Sequence, residues 1–202
     1  MLDGVETRGV LWDVGGVLLE FAEQPTGRRR WQARLGLADG ELEERLWSAI
    51  GSFGVAETEA IVHRLASTCA LSPFEARQLL LEAHEHWRPN ATLMTFAMSL
   101  RSAGVPTAVV SNALAAARWA FEAMLDVRRL TDVVVISAEV GVEKPDPDIY
   151  RLATDALGVD PTGCVLVDDL LENLDGAATI GIAGVLHLRN DGTMRAVRQA
   201  LQ

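Results

Sequence analysis

VLWDVGGVLLEF, residues 10–21, sets an aspartate at the end of one apolar run and two glycines before the next. Asp13 falls where a buried strand should stop, since a carboxylate is costly to bury without a partner. Bare backbone follows it, and position 15, two residues on, is Gly15 rather than a second acid. In an open parallel sheet the ligand site lies at the carboxyl ends of the strands, so the fold and the chemistry are both read from what stands at such ends.

Four more apolar runs read as buried strands: TAVVS (107–111), VVVIS (133–137), CVLVD (164–168) and GVLHL (184–188). Most lack in/out alternation, which suits strands covered on both faces by helices. The intervening segments have readable helix ends. Residues 91–103 run to Gly104, a left-handed cap; in DPDIYRLATDALG (146–158), Asp146 is the N-cap, Pro147 the first helical residue and Gly158 the stop. Strand and helix alternate from residue 107 onward, which predicts an α/β fold: a Rossmann-like, doubly wound parallel sheet.

Between residues 20 and 90 this alternation breaks. No clear strand is legible there, and apolar residues recur at helical spacing in ELEERLWSAI (41–50), ETEAIVHRLAST (57–68) and SPFEARQLLLEAHEHW (72–87). The last opens with Ser72, Pro73 and Glu75, a capping-box pattern. The expected organisation is a core of residues 1–19 and 91–202, interrupted by an all-helical cap over 20–90.

Composition narrows the function. The chain has 202 residues, is 49% hydrophobic and 23% charged, and carries a net charge of -10. That charge argues against a nucleic-acid backbone as partner but not against a small anionic substrate, because a few cations or a metal can reverse the field inside one pocket. Cys69 and Cys164 stand far apart and outside any metal-binding spacing, so they read as buried thiols in a reducing compartment. The opening MLDGVETRG has no long apolar run, and the longest uncharged run, 102–117, is broken by Pro106, Ser111 and Asn112. The expectation is a soluble, cytoplasmic protein without signal peptide or membrane span; no pattern in the sequence demands an oligomer.

The strand ends offer Asp13, then Ser111 and Asn112, then Lys144 in GVEKPDP, then Asp168 and Asp169. Three crowded carboxylates raise one another's pKa, a conflict that a hard divalent cation such as Mg²⁺ resolves. Lys144 beside Asp13 would help keep it ionised, as a nucleophilic carboxylate must be. Ser111, Asn112 and the N–H groups of Gly15 and Gly16 are candidate holders of phosphate oxygens. Asn173, in DDLLEN, is a candidate partner behind the acidic pair. The chemistry these residues suggest is phosphoryl transfer to Asp13 followed by hydrolysis.

Four segments in order, DVGGVL (13–18), VVSNA (109–113), EKPDPDIY (143–150) and VLVDDLLENLDGA (165–177), resemble the motifs of the haloacid dehalogenase superfamily, and the resemblance spans nearly the whole chain. It implies that Asp13 is the nucleophile, that Ser111 binds phosphate and that Lys144 stabilises both. It further implies that Asp168 and Asp169, with Asp13 and the backbone carbonyl of Gly15, hold Mg²⁺, and that the insertion closes over the site and selects the substrate. The expected function is Mg²⁺-dependent hydrolysis of a small phosphorylated metabolite.

Phosphatases of the family usually carry an aspartate where Gly15 stands, to protonate the leaving group and later activate water. Losing such a group costs roughly 10²–10⁴ in rate. Two alternatives follow: a catalytically silent binding or regulatory protein, and a haloacid dehalogenase, which needs neither that acid nor a metal. Against dehalogenation, Asp168 and Asp169 would be two unneeded charges beside the nucleophile.

Other features have plainer readings. Arg28–Arg30 form a solvated face, with an anion-binding patch as the alternative. His84 and His86 are wrongly spaced for a metal on one helix face. Trp31, Trp47 and Trp87 read as cap packing, and Trp12 as a buried strand residue.

Overall fold

In the computed structural model, the structure describes residues 8–21, 26–50, 58–82, 87–114, 117–118, 121, 125–131 and 133–202. His84 and His86 lie outside these, as do the side chains of Trp47 and Trp87. A five-stranded sheet, all parallel, is built from β1 (Gly9–Trp12), β4 (Thr107–Ser111), β5 (Val133–Ile136), β6 (Cys164–Asp168) and β7 (Ala183–Leu186), in the order β5-β4-β1-β6-β7. The chain builds outward from β1 on one side, then returns to build on the other. The strand order therefore reverses between β1 and β6, which opens a crevice at their carboxyl ends.

Two single-turn helices, α6 (Val127–Leu130) and α7 (Ser137–Val140), flank β5, and alternate residues of β1 divide the core. Val10 and Trp12 enter one apolar layer with Leu93, Phe96 and Ala97 of α5 (Ala91–Ser102) and Val197 of α10 (Asn190–Ala200). Leu11 enters the opposite layer with Ile149, Tyr150 and Ala153 of α8 (Pro147–Leu157) and Leu174 and Ala177 of α9 (Leu171–Ala178). The edge-to-face pair of Trp12 and Phe96, with ring centroids 6.2 Å apart, fixes α5 over β1. Helix ends follow the sequence chemistry. The Asp146 side chain accepts from Asp148 N at 3.0 Å, and Gly158 closes α8 at φ +68°.

The inserted stretch contains α1 (Thr26–Leu35), α2 (Glu41–Ile50), α3 (Thr58–Cys69) and α4 (Pro73–Glu82), which pack on one another around Trp31, Leu42, Leu46, Ile61, Leu65 and Leu79. The capping box at the start of α4 is present: Glu75 accepts from Ser72 N at 2.9 Å, and Ser72 Oγ accepts from Glu75 N at 3.3 Å. One feature departs from the helical reading. β2 (Leu19–Phe21) and β3 (Trp87–Pro89) form a short antiparallel ribbon where the insertion leaves and re-enters the core. Strands of three residues are too short for alternation to reveal them. Asn90 locks the return: its N–H donates to Leu18 O, its amide to Val17 O, and its carbonyl caps Leu93 N. Cys69 and Cys164 are both buried, without a disulfide. Among the described residues no helix is long and apolar enough to cross a membrane.

Candidate active site

Two strand ends and a loop converge. Asp13 follows β1, and its N–H donates to Val167 O of β6 at 2.9 Å, which sets it beside Asp168. Lys144, delivered by the loop before α8, donates to Asp13 Oδ1 at 2.6 Å and to Asp168 Oδ2 at 2.7 Å. All three side chains are buried. Asp168 is fully engaged, because its other oxygen accepts from Leu170 N at 3.0 Å and from Asn173 Nδ2 at 2.9 Å. Asn173 thus sits behind the acidic pair, and its own carbonyl accepts from the Tyr150 hydroxyl at 2.7 Å.

One ammonium shared by two buried carboxylates leaves an imbalance. Burial raises the Asp13 pKa to about 7; Lys144 opposes the rise and Asp168 adds to it. The expectation that Lys144 keeps Asp13 readily ionised is therefore met only in part, because desolvation outweighs half an ion pair. Burial alone would lower Lys144, but the facing carboxylates of Asp13 and Asp168 outweigh it and hold the amine above its ordinary value, so it stays charged. Asp169 is also raised, first by burial and then by Asp168.

A site that holds its own carboxylates away from ionisation invites a cation. Asp13, Asp168 and Asp169 each bring a ligand oxygen to within 4.8 Å of one another. An all-oxygen, carboxylate-rich set fits a hard divalent ion. Gly16 makes that approach possible. At φ +76°, a Cβ built there would lie 2.1 Å from Asp169 Oδ2, so Asp169 occupies the space a side chain would fill.

The glycine loop closes as a small bridge between residues 15 and 19: Gly16 N donates to Leu19 O at 2.8 Å and Leu19 N to Val14 O at 2.8 Å. The Gly16 N–H is committed here, whereas the N–H and carbonyl of Gly15 lie outside these two bonds. Asn112 is committed as well. Its Nδ2 donates to Lys144 O at 2.8 Å, and its Oδ1 accepts from Lys144 N at 2.8 Å. The side-chain amide of Asn112 and the N–H of Gly16, both expected to hold phosphate oxygens, thus bond within the protein, and Asn112 clamps the peptide that carries Lys144. Ser111 is buried at the end of β4, next to that clamp.

Gly176 is a site residue that the sequence reading passes over. A Cβ on it would lie 2.1 Å from Pro145 O, so only a glycine lets α9 pack against the Lys144–Pro145 segment. Its signal in the sequence is a glycine inside a helix, tolerated there at a cost of about 1 kcal/mol relative to alanine.

A family model described as haloacid dehalogenase-like hydrolase matches residues 7–181. A glyceraldehyde 3-phosphate phosphatase of Methanopyrus kandleri is 35% identical over 99 residues, 48% of this chain and 42% of that protein. The bifunctional epoxide hydrolase 2 of Sus scrofa is 27% identical over 135 residues, 62% of this chain and 23% of that protein. The chain thus spans less than half the length of these curated relatives. Among solved structures, a HAD family enzyme of Bacteroides thetaiotaomicron superposes with a TM-score of 0.74 at 16% identity, covering 90% of this chain and 93% of that one. With its inserted helices, its strand order and its aspartates at the ends of β1 and β6, the chain belongs to the haloacid dehalogenase-like hydrolases.

Proposed function

We propose that the protein is a phosphatase that hydrolyses a small phosphate monoester through an aspartyl-phosphate on Asp13, with Mg²⁺ as cofactor. The observation that carries this reading is the acidic cluster: a dehalogenase site gains nothing from Asp168 and Asp169 beside its nucleophile, whereas a cation bound there neutralises them. Two relatives support it. One is the Methanopyrus phosphatase, and the other is the Bacteroides enzyme, which has also been solved with magnesium and inorganic phosphate.

In this reading Asp13 and Asp169 would hold the ion with the carbonyl of Gly15, and Asp168 would complete the negative set while anchoring Lys144. When bound, the ion supplies positive charge that offsets the approach of an anionic phosphate to anionic carboxylates. The oxygen of Asp13 that Lys144 does not bond attacks phosphorus; the bond from phosphorus to the ester oxygen breaks, and its electron pair leaves with that oxygen. Lys144 balances charge on Asp13 and the phosphoryl oxygens, and the buried Ser111 hydroxyl donates to one of them. Water then hydrolyses the acyl phosphate and regenerates Asp13.

With Gly15 in place of an acid, the chain supplies no proton donor at that position. The proposed substrates are therefore esters whose leaving oxygen needs little protonation, such as an anomeric sugar phosphate or an acyl phosphate. The test is hydrolysis of an activated aryl phosphate with and without a chelator. Turnover that stops with chelator supports the reading. Halide release from a 2-haloacid that persists in chelator would replace it with dehalogenation, and ion binding without turnover would replace it with a binding protein.

A further inference from the structure

The loop after β4 does more than present Ser111. Asn112 clamps the Lys144 peptide through both atoms of its amide. At Ala113, the N–H donates to Ser137 Oγ at 2.9 Å, and the carbonyl accepts from Ala138 N at 3.3 Å. These bonds tie two successive residues to the core. Leu114, the next residue, is half-buried and packs against the cap's apolar cluster, which has Trp31, Leu42, Ile61 and Leu65 as members. Among the described residues it is the one core side chain counted with that cluster, whose other members all come from the inserted stretch.

We propose that Leu114 is a positioning residue that couples the cap to the phosphate site. Three consecutive residues link the two parts: the first two are bonded to the core, Asn112 to the lysine loop, and Leu114, half-buried and three residues from Ser111, packs against the cap cluster. A cap that swings open must withdraw its cluster from Leu114 and expose that side chain to water. A phosphate held at Ser111 stiffens this link and so favours the closed position. The inference rests on the phosphatase reading for its ligand, but its mechanical part stands on packing alone.

The test compares wild type, Leu114→Ser and Leu114→Met by hydrogen exchange of backbone amides, first alone and then with Mg²⁺ and inorganic phosphate. Without ligand, Leu114→Ser should speed exchange in α1–α4 roughly five- to tenfold, the factor expected for uncovering a half-buried leucine, while α8 in the core is unchanged. Leu114→Met should behave as wild type. With Mg²⁺ and phosphate, cap exchange should slow in wild type and in Leu114→Met but not in Leu114→Ser. Equal cap exchange in Leu114→Ser and wild type would overturn the proposal, as would protection by phosphate that survives the serine. So would uniform acceleration across core and cap, because it would mean that the serine merely destabilises the fold. Aryl phosphate turnover by wild type, scored separately, reports the phosphatase reading: turnover with unaltered cap exchange in Leu114→Ser would sink the coupling alone. Where turnover occurs, Leu114→Ser should raise KM by a similar factor and lower kcat less.

Discussion

Replacing Gly176 by alanine sets two physical effects against each other. Helix propensity alone favours alanine within α9 by about 1 kcal/mol. The structure opposes it: the new Cβ would meet Pro145 O at 2.1 Å and Pro145 C at 2.9 Å, both backbone atoms that no rotamer change can move. Ordinary contact begins near 3.4 Å, so helix and loop must part by about 1.3 Å. Lys144 rides on that loop and holds Asp13 and Asp168 at 2.6 and 2.7 Å; a shift of this size takes both bonds beyond hydrogen-bonding range. Overpacking costs roughly 1–3 kcal/mol and offsets the propensity gain, so the expected net loss of stability is about 0–2 kcal/mol. A displacement of about 1 Å in a charged group at the reacting centre lowers turnover on the order of 10²-fold. Urea denaturation measures the first quantity and aryl phosphate hydrolysis the second. A Gly176→Ala protein that is more stable than wild type and equally active would refute the argument that this glycine sets the position of Lys144.

Further outcomes follow from the structure. Asp13 releases its proton near pH 7, so Mg²⁺ must compete with that proton, and apparent affinity should fall close to tenfold per pH unit below about 7. By the same shift, the metal-free fold should lose stability as pH rises from 3.8 to about 7, where the unfolded chain has already released a proton that the native state keeps. Calorimetric titrations at pH 6, 7 and 8 check the first effect and denaturation at pH 4, 5, 6 and 7 the second; pH-independent affinity would contradict the burial argument. In the cap, bonds from Ser72 and the neighbouring Arg34 hold Glu75 down at about 2. Its contribution is present above the ordinary carboxylate value of 4.5 and is lost as pH falls toward 2, so Glu75→Gln should flatten the acid limb of cap unfolding followed by circular dichroism. Finally, Gly15→Asp should increase turnover of alkyl phosphates, which need a proton at the leaving oxygen, far more than that of aryl phosphates. Equal effects on the two would show that the missing acid is not what limits the wild type.

The core was legible because its signals are local. TAVVS and CVLVD coincide with β4 and β6, and Asp146, Pro147 and Gly158 delimit α8 through capping chemistry contained within a few residues. The acids and the lysine were legible for a related reason: in a parallel sheet the ends of buried strands meet, so Asp13 and Asp168 at two such ends, and Lys144 on the loop that follows β5, could be grouped before their distances were known. Residues whose role depends on a distant backbone atom were not legible in this way. The clamp that the Asn112 amide makes on Lys144, 32 residues away, has no signal in the sequence around either residue. Gly176 looks like a weak helix residue until Pro145 O is found against it. The ribbon of β2 and β3 is too short for any periodicity, and the position of Leu114 in the cap cluster depends on how the two parts meet, which no local pattern encodes.

The central claim is that Asp13 carries the phosphoryl group. Its most direct test is phosphate release from an activated aryl phosphate by wild type and by Asp13→Asn, each with saturating Mg²⁺. An amide of nearly the same shape keeps the packing of β1 and removes the nucleophile. Metal-dependent release by wild type and none by Asp13→Asn is the predicted result; equal release by both would contradict the assignment of Asp13 as the nucleophile.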